Sequence, residues 1–266
     1  MHRRLVLAFM LAVPVQVATP VAAQSVDYVE TKLPAPESQD RSHPAWPIAA
    51  RLSDPTNRYD HDVLGGLPPW TRLTVRARAC GACRNGFEGA SVILGESLVF
   101  EDVAPRLWDV TGDGRPEIVV VESDLALGAR LAVWSYSETG TGLARLAATR
   151  FIGTRHRWLA PAGAGDFDGD GEIEIAYVDR PHLVQDLVFL RLDGNTLREW
   201  ARVPGLTNHR IGNDFISGGV RNCGTGDELI LANADWSRLM AVRLGQPPVD
   251  LGAYTKSAMR RALDCR

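Results

Sequence analysis

Asp166-Phe167-Asp168-Gly169-Asp170-Gly171-Glu172-Ile173-Glu174 sets carboxylates at alternating positions around two glycines, and its reading decides the fold. Calcium takes about six to eight hard oxygen ligands from a loop sharp enough to wrap it. The pattern points Asp166, Asp168 and Asp170 inward, continues with the Glu172 carbonyl and the Glu174 carboxylate, and leaves Gly171 for the positive-φ turn. The same offsets recur upstream in Asp109-Val110-Thr111-Gly112-Asp113-Gly114-Arg115-Pro116-Glu117. There Asp109, Thr111, Asp113, the Arg115 carbonyl and Glu117 form the candidate ligand set, and one fewer carboxylate predicts weaker binding. A solvated Asp/Gly turn without metal is the alternative for both.

The residues after each loop separate these turns from an EF-hand. An EF-hand needs a bidentate glutamate at its twelfth position and a helix beyond. Those positions hold Val120 and Tyr177, and the chain continues as Glu117-Ile118-Val119-Val120-Val121 and Glu174-Ile175-Ala176-Tyr177-Val178. Such residues favour a buried strand.

The two loops start 57 residues apart, 166 less 109. Each is followed by a strand (118 to 122 and 173 to 178), a second strand (Leu131 to Tyr136 and Leu187 to Leu192), a glycine-containing turn, and a third strand (143 to 149 and 197 to 203). A decayed third copy begins at Arg221-Asn222-Cys223-Gly224-Thr225-Gly226 and carries strands at Glu228 to Leu231 and Leu239 to Leu244. Its inward positions are Arg221, Cys223 and Thr225, which do not suit a metal; a cation from Arg221 would stand in for one. Tyr59 to Gly65, Thr71 to Arg76 and Ala90 to Leu94 suggest a divergent first unit. Units of about 50 residues with several short strands suit propeller blades. The expectation is an all-β chain, a β-propeller of four or five blades over 48–266, with units near 48–100, 101–152, 153–208 and 209–266. One helix is expected, Lys256 to Leu263.

The N-terminus reads as an export signal: His2-Arg3-Arg4, an apolar run from Leu5 to Val13, and small residues ending at Ala23. Cleavage after Ala23 would place the product in the periplasm or outside the cell, with 24–47 as a proline-containing extended leader. No later stretch approaches the ~20 apolar residues of a membrane span. The chain has 29 basic and 32 acidic residues, a balance that leaves no electrostatic footprint for nucleic acid. Four cysteines in an exported chain favour disulfides. Of three pairings, Cys80 with Cys83 and Cys223 with Cys265 is preferred; a redox role for Cys80-Gly81-Ala82-Cys83 lacks the surrounding strand and helix pattern.

Nucleophile elbows, zinc helices and phosphate-cradling glycine loops are not found, so no catalytic residue is assigned. His156-Arg157-Trp158 and His209-Arg210 precede the second and the decayed loop. They would sit where the chain enters the innermost strand of a blade, either lining a channel mouth, with Trp158 as a stacking surface, or packing the entry turn. Convergence of His156, His182 and His209 on a free carboxylate would favour a hydrolase over a binding module.

With repeated Asp-x-Asp-Gly-Asp-Gly loops entering buried strands, the chain resembles the FG-GAP/VCBS repeat proteins, whose blades are related to the integrin α-subunit propeller. The segment Pro105-Arg106-Leu107-Trp108-Asp109-Val110-Thr111-Gly112-Asp113-Gly114-Arg115-Pro116-Glu117-Ile118-Val119 is similar to repeats of bacterial exported proteins. The resemblance implies a calcium-stabilised propeller with one or two structural ions, and a binding or scaffolding role toward a protein or glycan partner at the envelope or outside.

Overall fold

The computed structural model describes residues 26–33, 46–78, 87–137 and 142–266. The expected export signal, Cys80, Cys83 and most of the expected leader lie outside the described residues. Eighteen strands and one helix make up the described chain. They group into four antiparallel meanders of four strands each, joined by short connecting strands. The first holds β1 (Tyr28–Lys32), β2 (Trp46–Pro55), β3 (Trp70–Arg78) and β4 (Phe87–Ile93). A short strand, β5 (Leu98–Phe100), links it to the second meander, β6 (Arg106–Trp108), β7 (Glu117–Asp124), β8 (Gly128–Ser137) and β9 (Gly142–Ala148). The third is β10 (Leu159–Gly165), β11 (Glu174–Asp179), β12 (Asp186–Asp193) and β13 (Thr196–Pro204). After β14 (Leu206–Thr207) comes the fourth, β15 (Gly219–Asn222), β16 (Asp227–Asn233), β17 (Arg238–Val242) and β18 (Val249–Ala253). Hydrogen bonding joins the strands into a 13-stranded and a 5-stranded sheet, neither of which closes on itself.

Side-chain alternation explains how the meanders stack. Successive residues of a strand face opposite sides of its sheet, so a strand buried on both faces reads as a continuous apolar run. In β7, Ile118 and Val120 face a core shared with Leu52, Leu73 and Val75 of the first meander, whereas Val119 and Val121 face a core shared with Ile175, Val188 and Leu190 of the third. The pattern repeats one unit on: Ala176, Val178, Leu187 and Phe189 pack against Leu229, Leu231 and Val242. The remaining face of the fourth meander, Ile230, Leu239 and Ala241, is covered by Met259 and Ala262 of α1 (Lys256–Leu263). The outward face of the first meander is polar, with Thr74 bonded to Ser91 across the pair at 2.8 Å and Arg72 bonded to Asp54. Three cores thus alternate with four meanders, and helix α1 caps the series.

Local chemistry fixes the elements. Helix α1 starts where the Thr255 hydroxyl accepts from the Ala258 N–H, and it ends with Arg260 and Arg261 beside the negative end of its dipole. A disulfide between Cys223 and Cys265, whose Cα atoms lie 5.7 Å apart, ties the segment after α1 to the turn between β15 and β16. Two expectations need correcting. Residues 28–32 and 46–47 of the expected leader are strand residues of the first meander, in β1 and β2. Tyr59 to Gly65 forms no strand, and β2 takes that place in the first meander. Gly65 and Gly66 impose positive φ there, while Tyr59, Val63 and Leu64 are buried as a plug.

The first strands of all four meanders meet at one point. Thr31 of β1, Trp108 of β6, Pro161 of β10 and Val220 of β15 line a single cavity of about 700 Å³, together with Asp214 and Phe215 from the β14–β15 connection.

Candidate functional site

Each acidic loop is an insertion between the first and second strands of a meander. Trp108 pairs with Glu117 and Gly165 with Glu174, so the closing glutamate of each loop sits at the start of the second strand, pointing into the turn. The first aspartate organises the backbone. Asp109 accepts from the Gly112 and Gly114 N–H groups, and Asp166 accepts from those of Gly169 and Gly171. These glycines have positive φ, the conformation that lets successive N–H groups turn inward. The closing glutamate then accepts from the N–H of the loop's second residue, Val110 for Glu117 and Phe167 for Glu174, at 2.9 and 3.0 Å. That second residue is itself a core plug: Val110 and Phe167 are buried, and the Phe167 ring packs edge-on against Phe189. The apolar residue directly after the first aspartate of each loop, Val110 or Phe167, was the available signal for this anchoring.

The loops differ in what faces the carboxylates. Oxygens of Asp166, Asp168 and Glu174 lie within 4.8 Å of one another, close enough to share a cation. Arg191 of β12 pairs directly across from Glu174, and its guanidinium reaches Glu174 at 2.6 Å, Asp168 at 2.9 Å and Asp170 at 2.7 Å. Glu172 is 72% exposed and lies 3.8 Å from the same group. Burial pushes the Glu174 carboxyl up, against the Phe167 N–H and Arg191 bonds that pull it down. Arg191 is pulled down by burial, yet its bonds to Glu174 and Asp170 hold it above its ordinary value. In the 109–117 loop the position across from Glu117 is one beyond the Ile118–Trp134 pair and holds Ser135. Glu117 is 6% exposed. Burial raises its carboxyl, the Val110 N–H lowers it, and the charges of Asp113 and Asp109 raise it further. Arg115 pairs with Asp113 at 3.3 Å on the exposed side of the loop. The first loop keeps a buried carboxylate near two others with no cation across the strand pair, and among the described residues only the second loop brings three carboxylates within 4.8 Å of one another. The second already holds a guanidinium among its carboxylates.

The third loop is shorter than the repeat pattern in the sequence suggests. Arg221 pairs with Glu228, so this connection spans 228 − 221 = 7 positions, against 117 − 108 = 9 and 174 − 165 = 9 in the others. The turn therefore begins at Asn222, whose side chain accepts from the Gly224 N–H. Arg221 belongs to the strand, and holds Glu228 at 2.9 Å. Cys223 is in the disulfide, and Thr225 bonds Arg243.

The histidine-containing motifs divide. Trp158 is buried, donates its indole N–H to the Glu101 carbonyl at 2.8 Å and meets His209 edge-on, so it offers no stacking surface and packs the entry turn. Arg210 stacks on Trp236, and Arg157 bonds the His156 carbonyl. His156 stacks on His61 with ring centres 5.1 Å apart and bonds Asp60 at 2.9 Å. His61 bonds the buried Glu101 at 2.6 Å, and Ser123 donates to the other Glu101 oxygen. Burial raises the Glu101 carboxyl against these bonds. Burial also pushes Tyr59 up to about 12, with the Glu101 charge second. His182 and His209 form a second pair at 2.9 Å. The Asn213 carbonyl accepts from His209 Nε2, so Nδ1 accepts from His182. Burial, then His209 and His61, lowers His182 to about 4. The carboxylates these rings meet already carry partners. His61 and Glu101 lay outside the repeat logic, because neither occupies an equivalent position in a second unit.

No curated protein matches the chain. Residues 109–177 match the family of the FG-GAP-like repeat, a span that begins at the first acidic loop and ends in the strand after the second. Over that span the chain is similar to an FG-GAP-like repeat.

Proposed function

We propose that the chain is an exported, non-enzymatic binding or scaffolding module built as a four-bladed β-propeller, with a protein or glycan partner at the cell envelope or outside. The observation that carries this reading is the single cavity lined by the first strand of all four meanders, the arrangement expected when blades surround a common axis. Ligand sites collect where several elements converge on a mostly apolar hollow with a few polar groups. Trp108 and Phe215 line it with rings that carry Arg106 and Lys256 at 5.9 and 5.4 Å, and the exposed Asp214 supplies a carboxylate. The Cys223–Cys265 disulfide and the signal-like N-terminus support an oxidising compartment. Among the described residues no helix is long and apolar enough to cross a membrane. Calcium is proposed as a structural ion at Asp109, Thr111, Asp113 and Glu117; when bound it would neutralise their crowded charge.

Affinity electrophoresis against purified envelope polysaccharides, with pull-down of envelope proteins beside it, tests this reading. Trp108→Ala and Asp214→Asn should each weaken retention of whatever the native chain binds at least ~10-fold, as expected for a stacking or charged anchor. Unchanged retention in both variants would reject the cavity as the binding site.

A hydrolytic role draws on the His61–Glu101 pair, which could orient a water. The space beside it, bounded by Tyr59, His61, Leu64 and Glu101, is about 10 Å³, room for about one water molecule. Turnover of ester or glycoside probes that disappears in His61→Gln would favour this second reading.

A further inference from the structure

We infer that Arg191 is the resident cation of the 166–174 loop, holding by itself the place that calcium takes in an acidic loop of this kind. Of the carboxylates whose oxygens converge within 4.8 Å, Asp166, Asp168 and Glu174, the guanidinium already contacts Asp168 and Glu174 at 2.9 and 2.6 Å, and it reaches Asp170 at 2.7 Å. The arrangement is built in. Arg191 is fixed by strand pairing directly across from Glu174, is 13% exposed, and is covered on its far side by the Trp200 ring at 4.1 Å. A planar guanidinium offers five donors in a fixed fork and meets several carboxylates at once.

The same position differs between meanders. Equivalent sites facing the closing glutamate are Ser135 in the second meander, Arg191 in the third and Arg243 in the fourth. Arg243 reaches Glu228 at 3.5 Å, and Arg221 reinforces it at 2.9 Å. Arginine therefore stands at this cross-strand position in two of three meanders. One of those loops has lost its acidic residues and the other has kept them. The 166–174 loop is also latched from the next meander, where Asp227 accepts from the Asp166 N–H at 3.2 Å. The loop with the fullest acidic pattern is thus the one that does not require the metal.

Calcium titration calorimetry on the full exported chain tests this. The native chain and Asp168→Asn should bind the same number of calcium ions, because Asp168 serves Arg191. Arg191→Gln should gain one ion per chain with Kd in the range of extracellular calcium modules, about 10⁻⁴–10⁻³ M, and Arg191→Gln with Asp168→Asn should lose it again. One ion fewer in Asp168→Asn than in the native chain would overturn the inference, as would an unchanged count in a folded Arg191→Gln. Should Arg191→Gln fail to fold, the Asp168→Asn arm decides alone, since Asp168 is an exposed turn residue.

Discussion

Glu117 and Glu174 occupy the same position in two copies of one turn, and a single facing residue, Ser135 or Arg191, separates their electrostatics. With Ser135 across from it, the Glu117 carboxylate is buried beside Asp109 and Asp113. An ion present at 100 times its Kd stabilises the folded chain by about 2.7 kcal/mol. For a chain of this size that corresponds to a midpoint shift of about 5–10 °C. The native chain should therefore lose this much in Tm when a chelator replaces calcium, and Asp113→Asn should start near the lower value and not respond. Equal chelator sensitivity in Asp113→Asn would place the ion elsewhere.

His182 gives a second prediction at the residue scale. Its proton affinity is lowered from 6.5 to about 4 by burial, with His209 and His61 facing it. Between those values the unfolded chain binds the proton that the folded chain refuses, so stability is present above about pH 6.5 and is lost as pH falls toward 4. The slope for one such group is up to about 1.4 kcal/mol per pH unit. Glu101, raised by burial, acts with the opposite sign and stabilises toward low pH, while His209, also lowered by burial, adds to the loss. Urea midpoints measured stepwise across this window should fall less steeply in His182→Gln than in the native chain. Identical slopes would mean that His182 does not contribute to the loss.

Among the elements, α1 has an assignable role: it takes the face of the fourth meander that another sheet would otherwise cover. Met259 and Ala262 pack on Ile230, Leu239 and Ala241, and the Cys223–Cys265 bond closes a loop with 42 residues of separation. A cross-link of that span contributes about 2–4 kcal/mol. Cys265→Ser should lower stability by this order and speed amide exchange across 256–263 first, leaving β7 and β11 protected. Uniform loss of protection would mean that the helix is an integral part of the cooperative core. Helix and disulfide were both legible in the sequence, the helix as Lys256 to Leu263 and the disulfide from export-style cysteine use. The second and third strands of the acidic repeats were legible too, because burial on both faces leaves an unbroken apolar run.

For the whole molecule, the serial stacking of cores was readable from repeat spacing, whereas three features were not. β2 was missed because Pro47 and the polar Arg51 and Ser53 disguise a strand whose other face, Ala50 and Leu52, is core. The meeting of His61 with Glu101 joins residues 40 positions apart from two different connections, and no local pattern encodes such a pairing. Arg191 lies 17 residues beyond the glutamate it pairs with, so its place in the loop is set only by strand register. These are long-range facts, set by how meanders pack.

The central claim is that two like turns are held by different cations, an ion in the first and an arginine in the second. Anomalous diffraction from crystals grown with calcium, or a heavier lanthanide, in excess tests it most directly. The expected result is a peak among Asp109, Asp113 and Glu117, with the Arg191 guanidinium in place among Asp168, Asp170 and Glu174. A peak among Asp166, Asp168 and Glu174 with Arg191 swung out, or none at Asp113, would contradict it.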